Sequence, residues 1–510
     1  DVSARQPEQN EAHLTLTLNR FANRDDQPDW HRIGLPVETR TYEVVKPPTA
    51  ALRLDLKKLS DLLETLVPLD QVEPDLAMTI PYEQWDWRKS WNPDTEPGGL
   101  RNGQPTHTRL RLIEHVRTYY RPDDLGRSVN DRLALLPLRT VESLAIPGES
   151  SKLAFTPGLL TKIAGARVSD AMLETEGRYV HSEGDANWWI TSGRIFYSPD
   201  GADTAAQELA YAQQHFFLPH RFRDPFHTDA VSTESFVSYD DYDLLMVESR
   251  DAVGNRVTVG ERDVAGNRTM TGNDYRVLQP RLMMDPNRNR TAAAFDALGM
   301  VVGTAVMGKP LPAPVEGDSL DGFVADLTEA VVLDHLAHPL AAPQAILERA
   351  TSRLVYDLFA YHRTKDQPDP QPAVVYTLVR ETHDSDPIPA SGLKFQHSFS
   401  YSDGFGREIQ KKIQAEPGPV PKRDAAGKII VGADGQPELT ANDVSPRWVG
   451  SGWTIFNNKG KPVRQYEPFF TDTHRFEFDV RIGVSPVLFY DPVERVVATL
   501  HPNHTWEKVV

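Results

Sequence analysis

Asp251-Ala-Val-Gly254-Asn255-Arg256 is followed by Asp263-Val-Ala-Gly266-Asn267-Arg268 and then by Asp285-Pro-Asn-Arg-Asn289-Arg290. In each unit Asp opens a turn and Gly or Asn is expected at the positive-φ position. The Arg-Val-Thr or Arg-Thr-Met that follows reads as the next strand, so each unit is a predicted hairpin tip. One such turn says little. A turn chemistry that keeps returning in one chain marks a repetitive β architecture.

Degenerate copies extend the series. Phe295-Asp296-Ala-Leu-Gly299, Tyr401-Ser-Asp403-Gly404-Phe-Gly406-Arg407, Asp424-Ala-Ala-Gly427-Lys428, Asn457-Asn458-Lys-Gly460-Lys461 and Tyr490-Asp491-Pro-Val-Glu-Arg495 each set an aromatic or apolar strand before an Asx/Gly turn. Their uneven spacing predicts a wound sheet with loops and insertions, not a solenoid of fixed period.

At 510 residues the chain is long enough for several domains or one large β body. A formal charge of −17 argues against a nucleic-acid surface and offers no basic patch to anionic lipid. The absence of cysteine removes disulfides, thiolate nucleophiles and cysteine-ligated metals. No apolar run is long enough to span a bilayer as a helix, and no basic-then-apolar leader opens the chain. A start at Asp1 and a stop inside an expected strand at Trp506-Glu-Lys-Val-Val510 suggest a piece of a longer polypeptide.

The pattern divides the chain into a β segment over 1–50, a helix and Trp-rich loop insertion over 51–105, and a β-rich region with the turn units over 106–310. A helical insertion over 311–365 and a β-rich continuation over 366–510 follow. Leu14-Thr-Leu-Thr-Leu18 and Thr39 to Val45 alternate as strands do. Leu56, Leu59, Leu63 and Leu66 share one helical face that Pro68 ends. Trp85, Trp87 and Trp91 crowd one loop, where packing competes with sugar stacking. A short helix is expected from Ala205 to His215, a linker over 311–318, and helices from Ser319 to about Ala337 and from Pro343 to His362. Ile346, Leu347, Ala350, Leu354 and Leu358 would form the apolar face of the last.

Candidate chemistry is sparse. His335 and His338 stand three apart on an expected helix, but no Glu base completes a zinc-protease pattern. His215, His220 and His227 surround Phe216-Phe217-Leu218-Pro219 at uneven spacing and read as packing. Ser238-Tyr239-Asp240-Asp241-Tyr242-Asp243 lacks the ligand order of a calcium loop. Nucleophile elbow, phosphate loop and dinucleotide fingerprint are all missing, and Gly450-Ser451-Gly452-Trp453 is turn-like. The reading is of a non-enzyme without cofactor or metal.

Tyr239-Asp240, the Asp-x-x-Gly-Asn-Arg units, Asn273-Asp274-Tyr275-Arg276-Val277-Leu278-Gln279-Pro280, Phe295 to Gly303 and Tyr490-Asp491-Pro492 resemble the Rhs/YD-repeat proteins. Longer strings resemble more narrowly the B component of bacterial insecticidal Tc toxin complexes. They are Thr79-Ile80-Pro81-Tyr82-Glu83-Gln84-Trp85-Asp86-Trp87, Ala154 to Leu160, Trp188-Trp189-Ile190 with Ser192-Gly193-Arg194, and His501 to Val509.

The resemblance implies a mainly β fold of YD-repeat hairpins wound into part of a large hollow shell, with helical insertions. It implies a secreted structural component that completes its shell with an Rhs-type C component and encloses that partner's toxic C-terminal region. The pore-forming A component would be met through regions outside this chain, and no nucleic acid or membrane would be contacted. The self-cleaving Asp segment of the C component has no match here. A cell-surface adhesion or carbohydrate-binding YD-repeat protein is the alternative.

Overall fold

The computed structural model describes residues 14–45, 60–61, 63–64, 66–68, 73–74, 78–85, 100–101, 104–105, 108–425, 427–433 and 436–509. Leu56, Leu59, Trp87 and Trp91 lie outside the described residues. The fold is mainly β, in two compact units, Asp1–Arg256 and Val257–Val510.

In the first unit, Thr15–Arg24 alternates exposed and half-buried residues and pairs antiparallel with Arg32–Val45. Arg109–Tyr120, Pro147–Phe155 and Trp188–Thr191 continue that sheet in order, and the short Thr79–Ile80 lies parallel to Arg109–Tyr120. Tyr42, Val44, Leu66, Met78 and Leu110 form its core. The same sheet buries Glu38 amid cations. Its carboxylate meets His115 Nε2 at 2.7 Å, Arg40 at 2.7 Å, Arg139 at 2.8 Å and Arg20 at 3.2 Å. Burial alone raises the pKa of this carboxyl. The hydrogen bond from His115 and the charges and hydrogen bonds of Arg40 and Arg139 outweigh burial and hold it well below the ordinary range.

A second strand run in this unit is Arg194–Phe196, Arg221–Arg223, Glu234–Tyr239 and Met246–Arg250, all antiparallel. Helix Ala205–Gln214 packs Leu209 and Ala212 beside it with Tyr197 and Leu125. Thr204 and Gln207 close a reciprocal capping box, which explains why the helix starts there.

In the second unit, strands follow in the order Arg256–Arg262, Leu282–Met284, Arg290–Phe295, Val301–Met307, Ser352–Asp357, Ala373–Arg380, Phe395–Ser402, Glu408–Ala415, Arg447–Gly450 and Phe469–Thr471. Neighbours are antiparallel from Leu282–Met284 onward, and Arg268–Thr271 pairs with Arg256–Arg262. Val355, Val374, Tyr376, Leu378, Phe399, Tyr401 and Trp448 share one face, covered by Ile346, Leu347 and Phe476. Tyr376 stacks on Phe399 at 4.7 Å, and Trp448 meets Phe399 edge-on at 5.6 Å. Each such ring buries a large apolar area in this core.

The helical insertion differs from expectation. Helix occupies Glu329–Ala337 and Pro343–Leu347, and Ala360–Thr364 adds a single further turn. Ser319 to Thr328 is irregular, with Gly322 at φ 80° and Leu320, Phe323 and Leu327 packed on the core. Ser352–Asp357, expected inside a helix, is a strand whose residues alternate half-buried and buried. Glu348 at φ 53° ends the preceding helix, and two waiting strands satisfy the hydrogen bonds of this segment. Tertiary pairing thus overrides an apolar pattern that fits either period. Residues 311–318 do not span a gap as a linker would. Gly317 bridges Met307, and Asp318 is buried under Thr351, His383 at 2.9 Å and the Asp384 N–H at 2.7 Å.

Trp448→Ala is expected to lower the stability of the second unit by about 3–5 kcal/mol, read from its denaturant midpoint. Glu38 contributes stability above the ordinary carboxylate pKa of about 4.3, and that contribution is lost as pH falls below it. Glu38→Gln is therefore expected to flatten the acid side of the unfolding profile of the first unit, monitored by circular dichroism.

Candidate functional site

One five-residue turn closes hairpin after hairpin. At Asp263, the N–H donates to Asn267 O at 2.9 Å, the Gly266 N–H returns to Asp263 O at 3.2 Å, and Asp263 Oδ1 accepts the Asn267 N–H at 2.8 Å. Asn267 Nδ2 then donates to Oδ2 at 3.0 Å. Asp251 with Asn255 and Asp285 with Asn289 repeat this geometry, each within about 0.2 Å. Asp296, Asp403, Asp424, Asn457 and Asp491 keep the backbone pair and the Oδ1 bond. The side chain caps N–H groups that would otherwise point to water, which is why Asx opens the unit.

The fourth residue carries the positive φ: Gly254 and Gly266 at 90°, Gly299 at 82°, Gly406 at 75°, Gly427 at 78° and Gly460 at 80°. In the Asp285 unit this role falls to Arg288, at φ 71°, and not to an Asn. Position in the turn decides the conformation, and residue type follows only where selection permits. Glu494 at φ 69° does the same after Tyr490-Asp491. A ninth turn, His501 to Thr505 with His504 at φ 65°, escapes the Asx pattern because His opens it. Its spacing of five residues around Pro502-Asn503 was the available signal.

Two of the arginines that close the units, Arg256 and Arg290, brace neighbouring strands. Arg290 reaches Glu261 at 2.5 Å and Gly308 O at 3.1 Å, and Arg256 reaches Glu248 at 3.4 Å. Arg268 opens an exposed strand. Tyr490 donates to Pro462 O at 2.7 Å, tying the last hairpins together. Val253, Val264, Leu298, Phe405 and Val493 stand exposed at the tips.

The central strands of the second unit have two unlike faces. The covered face carries Arg353, Asp357, Arg380, His397 and Lys412, all buried. Lys412 and Arg423 both pair with Glu477. Among the described residues no carboxylate forms an ion pair with Arg353; it donates to Val324 O at 2.7 Å beneath the Phe323 ring, and burial, against the more distant charge of Glu348, lowers its pKa to about 10. Gly303 permits that arrangement, because a β-carbon there would lie 2.4 Å from the Phe323 ring. The opposite face of Ser352–Asp357, Ala373–Arg380 and Phe395–Ser402 presents only uncharged side chains. Across it Leu354 opposes Thr377, Tyr356 opposes Val375, Val375 opposes Ser400, Thr377 opposes Ser398, and Val379 opposes Gln396. These positions are half-buried, apart from the exposed Gln396.

The histidine candidates do not converge. His335 is buried, which lowers its pKa, while His338 is exposed and bonds Asp334 at 3.1 Å. His227 Nδ1 accepts the Thr233 N–H at 3.3 Å, apart from His215 and His220. Asp240 is spent on the Leu244 and Leu245 N–H groups and Asp243 on His215. Among the described residues no group of three or more His, Cys, Asp or Glu could hold a metal. Trp85 lies under the Lys162 ammonium at 4.0 Å, a contact that occupies its ring.

No protein-family model matches the sequence, and no curated protein matches it. Solved structures share the fold. The crystal structure of TcdB2-TccC3 superposes over 98% of this chain with a TM-score of 0.56 at 19% identity. The same pair without its hypervariable C-terminal region superposes over 97% with a TM-score of 0.56 at 18% identity. A Tc holotoxin pore of Photorhabdus luminescens superposes over 98% with a TM-score of 0.54 at 17% identity. The chain spans about a fifth of the length of these solved chains, 20% to 22%. It has a Tc toxin-like β fold.

Turn strain and turn capping are separable by mutation. Asp263→Ala is expected to cost about 1 kcal/mol through lost capping bonds, and Gly266→Ala about 1 kcal/mol through the positive φ. His504→Gly is expected to act in the opposite direction by a similar amount, about 1 kcal/mol. Chemical unfolding of each variant checks the signs.

Proposed function

We propose that this chain is a non-catalytic structural component of a bacterial insecticidal toxin complex, of B-component type, forming part of a β shell around the toxic C-terminal region of an Rhs-type partner. The single observation that carries this reading is the fold likeness to TcdB2-TccC3 over 98% of the chain. Two features of the molecule support it. Hairpins closed by their own Asx caps build a long sheet in which strands pair continuously, leaving few free edges. Across three strands the uncharged face of Ser, Thr, Val, Leu354 and the single ring of Tyr356 offers an enclosed polypeptide neither a strong ionic anchor nor a large aromatic platform, so an unfolded chain would slide on it rather than dock.

In this reading the partner C component completes the shell, and the pore-forming A component is met through parts of the assembly beyond this chain. The complex is secreted, and this component needs no cofactor. The Asx-capped turns, the arginines that follow them and the buried ion pairs serve rigidity of the wall, not chemistry.

Electron microscopy of the parent protein co-expressed with its neighbouring Rhs protein provides the test. A hollow particle holding protease-protected density is expected. Separate compact particles with no cavity would sink the encapsulation reading and favour an adhesion role.

A further inference from the structure

The segment His215-Phe216-Phe217-Leu218-Pro219-His220 joins helix Ala205–Gln214 to strand Arg221–Arg223. Phe216 and Phe217 both have φ of 54°, so two bulky residues in succession occupy the left-handed region. Such backbone persists only where its surroundings enforce it. Phe217 packs on Leu125, Tyr197, Leu209 and Ala212 and donates its N–H to Ala212 O at 2.8 Å. Phe216 is 76% exposed.

Two imidazoles brace this turn. His215 Nδ1 lies 2.9 and 3.1 Å from the two carboxylate oxygens of Asp243, a residue itself at φ 55°. His220 is 5% exposed, and its Nε2 has no hydrogen-bond partner. Its ring sits edge to face with Tyr211 and with Tyr239, at 5.1 Å in each case, and 6.1 Å from the His215 ring. Tyr211 stacks on His215 at 4.0 Å. The titratable groups facing His220 are thus His215 at the helix end, Tyr211 on the helix, Tyr239 on the strand Glu234–Tyr239 and Asp243 in the loop beyond it. Asp203, ahead of the helix, acts on Tyr211. A neutral imidazole suits this aromatic enclosure. A protonated one would place a charge with an unsolvated N–H beside a second imidazole.

We propose that His220 and the His215–Asp243 pair form an acid-opened latch on the Phe216–Phe217 turn, so that protonation of His220 frees Phe217 from its cluster and exposes it with the end of the helix. Burial, aided by His215, lowers the His220 pKa from its ordinary value. A histidine depressed in the fold lends stability above its unfolded pKa of about 6.5, and that stability drains as pH falls from there toward the folded value. The latch lies in the first unit and does not depend on what the sheet of the second unit encloses.

Hydrogen–deuterium exchange of the full chain, corrected for intrinsic rates, tests it. Between pH about 7.5 and about 5.5, exchange over 205–223 is expected to rise about tenfold, the change that one unit of proton linkage produces. Strand Ala373–Arg380 should not change, and His220→Phe, which keeps the ring and removes the proton site, should lose the response. Nuclear magnetic resonance of the histidine and phenylalanine rings in the unmutated chain gives a second reading that needs no variant. His220 must titrate with a midpoint below about 6.5, and the Phe217 ring signals must move at that midpoint. A flat profile over 205–223, an equal response in His220→Phe, parallel opening of Ala373–Arg380, or titration of His220 without movement of Phe217 would each overturn the latch.

Discussion

A carboxylate or amide oxygen accepting the backbone N–H four residues ahead recurs at eight hairpin tips, from Asp251 to Asp491. Each cap satisfies local donors without borrowing from a distant strand. The consequence is that register is set at the tip. A five-residue turn with its positive φ at position four forces the bulge that follows, and the shifts at Glu261/Arg262, Ala294/Phe295, Tyr401/Ser402 and Phe489/Tyr490 sit beside such turns. Alternation beyond the tip then decides which side chains are buried, because a slip of one residue would exchange the two faces.

That alternation produces an uncommon division of polarity. In an ordinary antiparallel sheet the covered face is apolar and the open face is charged. Here Arg353, Arg380 and Lys412 point into the covered side among Tyr376, Phe399 and Trp448, while the open side of the three strands Ser352–Asp357, Ala373–Arg380 and Phe395–Ser402 is uncharged and charge returns only at Glu408 and Lys411 on the next strand. Burying these cations is costly, and each is met by backbone carbonyls, a carboxylate or a ring. An uncharged stretch across three adjoining strands is the gain. Glu38 and Glu208 in the first unit repeat the device with the signs exchanged: a carboxylate at the centre and arginines around it.

The sequence disclosed the turns because their chemistry is local. Asp263-Val-Ala-Gly266-Asn267 carries its own caps, and a reader of those five residues has all the determinants in hand. Strands with strict alternation, such as Leu14 to Leu18, were legible for the same reason. Ser352–Asp357 was not, since Leu354 extends a helical stripe from Ile346 and Leu347 as well as it fits a strand. Only the pairing with Val301–Met307 and Ala373–Arg380 decides between them. The contact of His215 with Asp243 was equally hidden: both segments looked like packing or solvated charge when read alone, and 28 residues separate them. The identity of Arg288 as a left-handed residue was masked by Asn neighbours that suit that conformation better.

Local closure also explains how one fold persists at 19% identity. A globular core ties each side chain to many others, so divergence at one site demands compensation elsewhere. A sheet built from self-capped hairpins asks far less of its sequence: an Asx at position one, tolerance of positive φ at position four, and alternation between tips. His501 shows that even the first requirement is relaxed when the backbone pair remains, with Asn503 accepting the Thr505 N–H at 3.1 Å in place of the opening residue. The side chains between the caps are then free to change with whatever the open face must meet. Similarity of fold without similarity of sequence is what such a construction permits.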